Sequence, residues 1–286
     1  MVALDGLTME VGRGEVFGFL GPNGAGKTTA VKMLVGLTRA TSGRGTVLGA
    51  PLGDIGVRRR IGYLPELFRY QGWMTAYEVL ELHCELARVP RPDRRKEIEA
   101  ALVTVGLAAR AHSRVETFSK GMQQRLGLGV ALLGSPELVF LDEPTSALDP
   151  VGRRDVRDII HALKARGTTV FLNSHLLSEV ERVCDTVAIV DRGKVVARGA
   201  LDDLLGGGGV RLRVADLDGR VDTLARFGEV SRDGDWISIT GTPAEAVPDV
   251  VAAVVGLGGR VYAVEPRHQT LEDRFLELLG GEGEPA

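Results

Sequence analysis

Short apolar runs alternate with helical patterns along the first two thirds of the chain. Buried strands are predicted at Val16–Leu20, Leu138–Leu141 and Thr169–Leu172, and amphipathic helices at residues 75–86 and 92–105. Unbroken apolar strands that alternate with helices are typical of a parallel sheet covered on both faces. The pattern therefore predicts an α/β domain with a helical insert between its strands.

The pattern changes after four consecutive glycines, Gly206–Gly209, which form the most flexible stretch of the sequence. A hairpin at residues 186–198 is expected to close the first domain. We expect a boundary at the glycines, with a first domain at residues 1–205, a helical subdomain at about 67–130 and a small C-terminal α/β domain at 210–280. Beyond the glycines, short strands are predicted at 210–214, 230–232, 236–240 and 261–264, helices at 221–227 and 248–255, and a last helix that Thr270 caps together with Asp273 and that ends at Gly280.

Composition excludes several classes of protein. The 286 residues are 44% hydrophobic and 26% charged, with a net charge of −3, which argues against disorder and against general electrostatic binding to nucleic acid. Uncharged runs fall well short of the roughly 18 apolar residues that cross a bilayer, and no secretory signal is visible. The only cysteines, Cys84 and Cys184, fit neither a disulfide framework nor a zinc site. We therefore expect a cytoplasmic chain.

The stretch after the first strand matches GxxxxGK(S/T), the phosphate-binding P-loop, and stands between a predicted strand and a predicted helix, which is the context that supports such a match. In this loop, backbone N–H groups and the helix N-terminus cradle phosphate oxygens, the lysine reaches the β and γ phosphates, and the hydroxyl after it can ligate magnesium. The sequence therefore predicts an ATP site with Mg²⁺, in which Lys27 also serves catalysis and Thr28 is a metal ligand. The loop residues are Gly21, Pro22, Asn23, Gly24, Ala25, Gly26, Lys27, Thr28 and Thr29.

Two carboxylates end the strand Leu138–Leu141. Asp142 suits the shell of a magnesium ion, and Glu143 can polarise the water that attacks the γ phosphate. An acidic pair at the end of a strand is by itself usually a solvated loop. Beside a P-loop, it is the expected second half of the site.

Further motifs resemble the ATP-binding cassette (ABC) ATPases. Phe118–Met122 looks like the signature motif LSGGQ, and residues 122–150 resemble the sequence pattern of the family at nearly every position. Ser146–Asp149 is similar to the D-loop of the family, and His175 to its switch histidine. The resemblance covers about residues 2–200, with the motifs in the family's order. It implies a P-loop NTPase cassette with a RecA-like parallel sheet and a helical subdomain.

The resemblance also implies partners. In the family, two cassettes enclose two ATP molecules, so Ser119 and Gly121 are expected to touch the γ phosphate held by another copy, and His175 to sense the γ phosphate. The second cassette is this chain itself, arranged head to tail, or a paralogous cassette. A separate transmembrane permease is the other partner, which places the chain peripherally on the inner face of the membrane; no nucleic acid is expected. Residues 270–278 resemble the C-terminal extension of drug-exporter ATPases of the daunorubicin-resistance type, which favours export.

The chain departs from the family pattern at three places. The signature carries Lys120 and Met122 in place of Gly and Gln, and the Q-loop position carries Glu66 in place of Gln. Because a carboxylate oxygen ligates magnesium at least as well as an amide oxygen, Glu66 is retained as a nucleotide and metal ligand. The segment Val2–Gly6 resembles the second strand of the family, without a first strand or an upstream aromatic to stack on adenine. We expect a start assigned too late rather than a lost feature.

Some alternatives stay open at this point. Phe68, Tyr70, Trp73 and Tyr77 either dock the membrane subunit or form the core of the helical insert. A cassette ATPase of DNA repair or of ribosomes usually carries coiled-coil insertions, zinc modules or two cassettes, and none is visible. A nucleotide-binding regulator without turnover conflicts with Glu143. The transported compound is not encoded in this chain.

Overall fold

The computed structural model describes residues 2–146, 148–205, 208–217, 221–267 and 270–280. It divides into two compact units, Met1–Arg198 and Gly199–Ala286. This division precedes the glycine run at which the sequence suggests a boundary. Gly206 and Gly207 of that run lie outside the described residues.

The first unit contains a six-stranded sheet. Its spatial order is β4-β5-β6-β1-β7-β8, and the neighbours from β4 to β7 pair in parallel. Every residue of β1, β5 and β6 is buried, as their unbroken apolar sequences predict. In chain order the strands are β1 (Val16–Leu20), β2 (Thr46–Val47), β3 (Ala50–Pro51), β4 (Ile61–Leu64), β5 (Leu138–Asp142), β6 (Thr169–Asn173), β7 (Thr186–Asp191) and β8 (Lys194–Ala200); β2 and β3 form a separate two-stranded ladder.

Helices connect these strands, and polar side chains cap the starts of several of them. Thr75 and Glu78 form a reciprocal capping box at the start of α2, and the side chain of Asp149 accepts the N–H of Gly152 at the start of α5. The two helices predicted at residues 75–86 and 92–105 are present as α2 and α3, and α4 follows them before β5. The helices of this part of the chain are α1 (Lys27–Leu34), α2 (Ala76–Leu86), α3 (Arg91–Thr104), α4 (Lys120–Ala131), α5 (Pro150–Ala165) and α6 (Leu177–Val183), and α7 (Leu201–Leu204) follows β8.

An aromatic cluster fills the core on one face of this sheet. Phe171 lies at the centre, with ring centroids 5.3 Å from Phe17, 5.3 Å from Phe19 and 5.1 Å from Phe140. Apolar residues between positions 4 and 11 pack against the same core. This packing fixes the strands whose carboxyl ends carry the candidate site.

The expectation that Val2–Gly6 forms a strand is wrong, because residues 2–15 contain no strand. The segment makes one main-chain hydrogen bond to the turn between β7 and β8, from Asp5 N to Gly193 O at 3.0 Å. Gly6 has a φ of 71°, which is incompatible with extended backbone. The segment is held by side-chain packing and by this turn, without a ladder.

The second unit is a four-stranded antiparallel sheet in the order β10-β11-β9-β12. With a 3₁₀ helix (Val221–Phe227) after β9 and α8 after β11, the chain order is βαββαβ, the split βαβ arrangement of ferredoxin-like domains. Apolar residues of β9, β11 and α8 form its own core. The predicted cap of the last helix is confirmed, since Thr270 and Asp273 bond reciprocally at 3.1 Å. The elements are β9 (Gly209–Ala215), β10 (Glu229–Asp233), β11 (Trp236–Thr240), α8 (Val247–Gly256), β12 (Arg260–Arg267) and α9 (Leu271–Gly280).

Candidate functional site

The loop between β1 and α1 has a shape that glycine readily adopts. Gly24 and Gly26 have φ values of 85° and 95°, in the left-handed region. Gly21 is required for space, because a Cβ there would lie 2.1 Å from the carbonyl oxygen of Val190. The N-cap residue of α1 is Gly26, and no side chain of the described residues caps the start of this helix. Its first N–H groups are therefore available to an anion.

Lys27 begins α1 and is buried inside this loop. Its Nζ donates hydrogen bonds to two carbonyl oxygens of the loop, at 2.6 Å and 3.1 Å. Burial lowers the pKa of Lys27, and the negative charges of Glu143, Asp142 and Glu66 act in the opposite direction. The structure thus brings three of the predicted acidic residues into electrostatic reach of the loop lysine.

Asp142 is the last residue of β5 and is 1% exposed. Its Oδ1 accepts a hydrogen bond from Asn173 Nδ2 at 2.5 Å, whereas its Oδ2 has no hydrogen-bond partner among the described residues. Burial raises the pKa of Asp142, and the bond from Asn173 opposes that rise. Asn173 ends β6 and pairs in register with Asp142. Sequence reasoning did not single it out.

Glu143 follows β5 in an unusual backbone conformation, with a φ of 54°. Such a conformation costs a non-glycine residue on the order of 1–3 kcal/mol and is found most often at functional sites. Its N–H donates to Asn173 O at 2.8 Å, and its Oε1 accepts the N–H of His175 at 3.0 Å. Its Oε2 lies 2.8 Å from Nδ1 of His175, without the alignment of a hydrogen bond. Glu143 and His175 are therefore direct neighbours.

His175 presents its ring to solvent, with 56% of the side chain exposed. It stands between β6 and α6, and an ion pair anchors the helix that follows it. Arg157 Nη1 on α5 lies 2.9 Å and 2.7 Å from the two carboxylate oxygens of Glu179 on α6, with both side chains largely buried. This pair fixes α6 against α5 and thereby supports the position of His175. Sequence reasoning missed it, because the two residues lie on different helices.

The side-chain oxygen atoms of Asp142, Thr28 and Glu66 suit a magnesium ion that is also coordinated by phosphate and water. Mg²⁺ is usually held by one or two carboxylates together with substrate phosphates. The unpartnered Oδ2 of Asp142 is a buried acceptor of this kind. Thr28 is the second residue of α1, and Glu66 is exposed just after β4, close enough that its charge contributes to the raised pKa of Asp142. Among the described residues, no group of three or more His, Cys, Asp or Glu side chains forms a metal site of its own.

The signature segment lies at the start of α4. Ser119 is the N-cap residue, and its Oγ accepts the N–H of Met122 at 3.2 Å. Ser119 is exposed, and a Cβ on Gly121 would lie 3.1 Å from the side chain of Leu148. Ser119 is thus at the surface, and Gly121 is half-buried beside Leu148, which follows the acidic pair in the chain. Their predicted contact with another copy stays a prediction.

The four aromatic residues after the Q-loop position divide into two groups. Phe68 and Tyr70 pack together with ring centroids 5.4 Å apart, and Tyr77 stacks on His112 at 5.6 Å. Trp73 is 71% exposed. Three of the four therefore belong to the packing of the helical insert, and Trp73 is left at its surface.

Comparison with known proteins decides the family. Residues 4–146 match the family described as ABC transporter. An ABC transporter ATP-binding protein of Nostoc sp. is 43% identical over 284 residues, 98% of this chain and 84% of the relative. This chain belongs to the ABC transporter family and is an ATP-binding subunit of it. Two further relatives are the fluoroquinolones export ATP-binding protein of Mycobacterium tuberculosis, 39% identical over 97% of this chain and 88% of the relative, and the daunorubicin resistance ATP-binding protein DrrA3 of Streptomyces coeruleorubidus, 37% identical over 97% and 91%.

Solved structures agree with this assignment. A dimeric ATP-binding cassette in a post-hydrolysis state bound to ADP and Pi is 25% identical, has a TM-score of 0.64, and corresponds to 70% of this chain and 90% of that chain. The P-loop cassette fold expected from the sequence is therefore confirmed, and with it the assignment of this ABC ATP-binding subunit as an ATPase. No helix in the described part of the chain is long and apolar enough to span a membrane.

Proposed function

We propose that this ABC ATPase binds Mg-ATP between its P-loop and its acidic pair and hydrolyses it to power export of a small molecule, such as a drug, through a separate membrane subunit. The observation that carries the proposal is the contact of Glu143 with His175 at the end of β5, in electrostatic reach of Lys27. This arrangement provides a base, a polar neighbour and a phosphate-binding cation at one edge of the sheet.

Each residue has a defined role in this proposal. Residues 21–29 bind the phosphates through backbone N–H groups, and Lys27 supplies positive charge at the β and γ phosphates. Glu143 accepts a proton from the water that attacks the γ phosphorus, while the bond from that phosphorus to the ADP oxygen breaks. His175, held against Glu143, contacts the γ phosphate. Thr28, Asp142 and Glu66 would hold a magnesium ion, which would neutralise phosphate charge when bound.

A second cassette completes the site in this proposal. Ser119 is exposed and Gly121 is half-buried at the start of α4, where they are available to the γ phosphate bound by another chain. The second cassette is a copy of this chain or a paralogue, and the dimeric arrangement of the similar solved structure supports it. No nucleic acid takes part.

Export through a permease is supported by the named relatives. The fluoroquinolones export protein covers nearly the whole of this chain, including the C-terminal unit. We place the protein in the cytoplasm, peripherally on the inner face of the membrane, where it docks on its permease. Trp73, exposed on the helical insert, is available to that contact.

The nucleotide site is tested by two substitutions. Lys27→Ala is expected to abolish tight ATP binding, because it removes the charge that faces the phosphates. Glu143→Gln is expected to keep binding but to lower turnover by about 10²- to 10⁴-fold, the range for loss of a general base. Filter binding measures the first and phosphate release the second. Parental ATP affinity in the Lys27 variant, or parental turnover in the Glu143 variant, would contradict the assigned roles.

The transport role is tested by purification from membranes. We expect the tagged full chain to co-purify with a polytopic membrane protein, and the ATPase rate to change when that protein is reconstituted in vesicles. The Lys27→Ala chain serves as the control that docks without turnover. A chain that purifies with ribosomes or DNA and without a membrane protein would contradict the proposal.

A further inference from the structure

One residue, Asn173, is hydrogen-bonded to both members of the acidic pair. The Nδ2 of Asn173 donates to Asp142 Oδ1 at 2.5 Å, and its main-chain oxygen accepts the N–H of Glu143 at 2.8 Å. Asn173 is 2% exposed, and it stands directly beside Asp142 in the ladder of β5 and β6. The side chain thus acts on Asp142, and the backbone acts on Glu143.

The amide orientation follows from the charge of its partner. An ionised carboxylate only accepts hydrogen bonds, so the NH₂ group of Asn173 must face Asp142. The amide oxygen of Asn173 is then directed elsewhere, and it has no hydrogen-bond partner among the described residues. Asp142 Oδ2 likewise has no hydrogen-bond partner among the described residues. Two neighbouring side chains at the end of the sheet therefore each retain one buried acceptor without a donor.

A buried acceptor without a donor destabilises the fold, because the group loses its hydrogen bonds to water and gains none in return. A structural amide in a strand would be expected to satisfy both of its ends within the protein. Here the NH₂ group of Asn173 is bonded to Asp142, a predicted metal ligand, and the amide oxygen has no donor among the described residues. A hydrated cation supplies donors to such oxygens through its water molecules.

We propose that Asn173 is a positioning residue of the magnesium-nucleotide site, an inference that rests on the proposed function. Its NH₂ group holds Asp142 so that Oδ2 stays free for the hydrated cation. Its Oδ1 accepts a hydrogen bond from a water molecule of that cation. Groups that orient metal ligands in this way typically contribute 10- to 100-fold to metal affinity.

The test compares ATP binding with and without the cation in the full chain. Every variant carries Glu143→Gln to suppress turnover, and a fluorescent ATP analogue reports affinity in excess Mg²⁺ and in chelator. Asn173→Leu replaces the amide with an apolar side chain of similar size and so removes both of its functions. Asn173→Ala is used instead if the leucine variant does not fold. Occupancy by Mn²⁺ in the presence of ATP, followed by electron paramagnetic resonance, is a second readout that needs no hydrolysis.

A matched control lies at the other end of the same strand. Thr169 begins β6, is 5% exposed, and its Oγ1 accepts the N–H of Gly14 at 2.8 Å. Thr169→Val therefore also removes a hydrogen bond of β6, a part-buried one, at the end of the strand that is far from the acidic pair. Melting temperatures of all variants measure the general loss of stability.

We expect Asn173→Leu to lower affinity in Mg²⁺ by about 10- to 100-fold, to lower Mn²⁺ occupancy in parallel, and to leave affinity in chelator within about twofold. Thr169→Val is expected to keep the parental response to the cation. The inference is overturned if both Asn173 variants keep the parental gain in affinity on adding Mg²⁺, or if Thr169→Val loses as much of that gain. If the chain with Asn173 intact shows no binding that depends on Lys27, the proposed function fails and the inference fails with it.

Discussion

The packing of residues 3 and 4 against the P-loop gives a quantitative prediction. Gly24 and Gly26 both have positive φ, so an alanine at either position costs about 1–2 kcal/mol of backbone strain. A Cβ on Gly24 would meet no atom of the described residues within 4 Å, whereas a Cβ on Gly26 would lie 2.3 Å from Ala3 O and 2.7 Å from Leu4 Cδ2. Gly26→Ala therefore adds an overpacking cost of about 1–3 kcal/mol that Gly24→Ala does not have.

Differential scanning calorimetry measures this difference. For a unit of this size, 1 kcal/mol corresponds to about 2–4 °C, so Gly26→Ala is expected to melt about 2–12 °C below Gly24→Ala. Removing Val2–Leu4 deletes the obstructing atoms. In that shortened chain, the two alanine variants are expected to melt together, as a double-mutant cycle requires for a direct contact. Equal melting temperatures in the full chain, or a gap that survives the deletion, would refute the reasoning.

Three further predictions address the site. The Lys27→Ala chain and the Ser119→Arg chain are each expected to be inactive alone. When the two are mixed, they are expected to recover up to about half of the parental ATPase rate per site, because one composite site is then intact. No recovery despite demonstrated chain exchange would exclude the head-to-tail arrangement. Glu66→Gln is expected to leave turnover nearly unchanged in a phosphate-release assay, since an amide oxygen can replace one carboxylate oxygen at magnesium; a larger loss than that of Glu143→Gln would contradict this. Burial raises the pKa of Tyr63 to about 12 from its ordinary value of 10.0. Because the folded-state pKa is the higher one, the stability that protonated Tyr63 contributes is present below pH 10 and is lost as pH rises towards 12. The urea midpoint should therefore decrease more between pH 8 and pH 11 for the parent than for Tyr63→Phe. An equal decrease would contradict the link between the Tyr63 pKa and stability.

Much of the parallel sheet could be predicted because buried strands leave unbroken apolar runs. The structure extends two of these strands by one polar residue each, to Asp142 and Asn173. Main-chain pairing continues as long as the neighbouring strand does, whatever the polarity of the side chain. Apolar residues near the start of the chain behave in the opposite way, because they pack on the core but do not pair into a strand.

The loop lysine and the acidic pair were accessible from sequence because motif spacing identifies them. Asn173 was not, because its role depends on lateral register, and the linear sequence does not say that β5 and β6 are neighbours. The ion pair of Arg157 with Glu179 was missed for the same reason. The contact of Ser119 with a second chain depends on an assembly of two cassettes, so it remains a prediction.

The left-handed backbone of Glu143 has a consequence for selection. Asparagine and glycine tolerate this conformation better than glutamate does. Screens that reward heat resistance alone are therefore expected to enrich Glu143→Asn or Glu143→Gly, since relief of about 1–3 kcal/mol of strain competes with the loss of one part-buried hydrogen bond, from the N–H of His175 to Glu143 Oε1. Such survivors would hold nucleotide without turning it over. A library sorted for stability should thus lose glutamate at this position, and one sorted for transport should keep it.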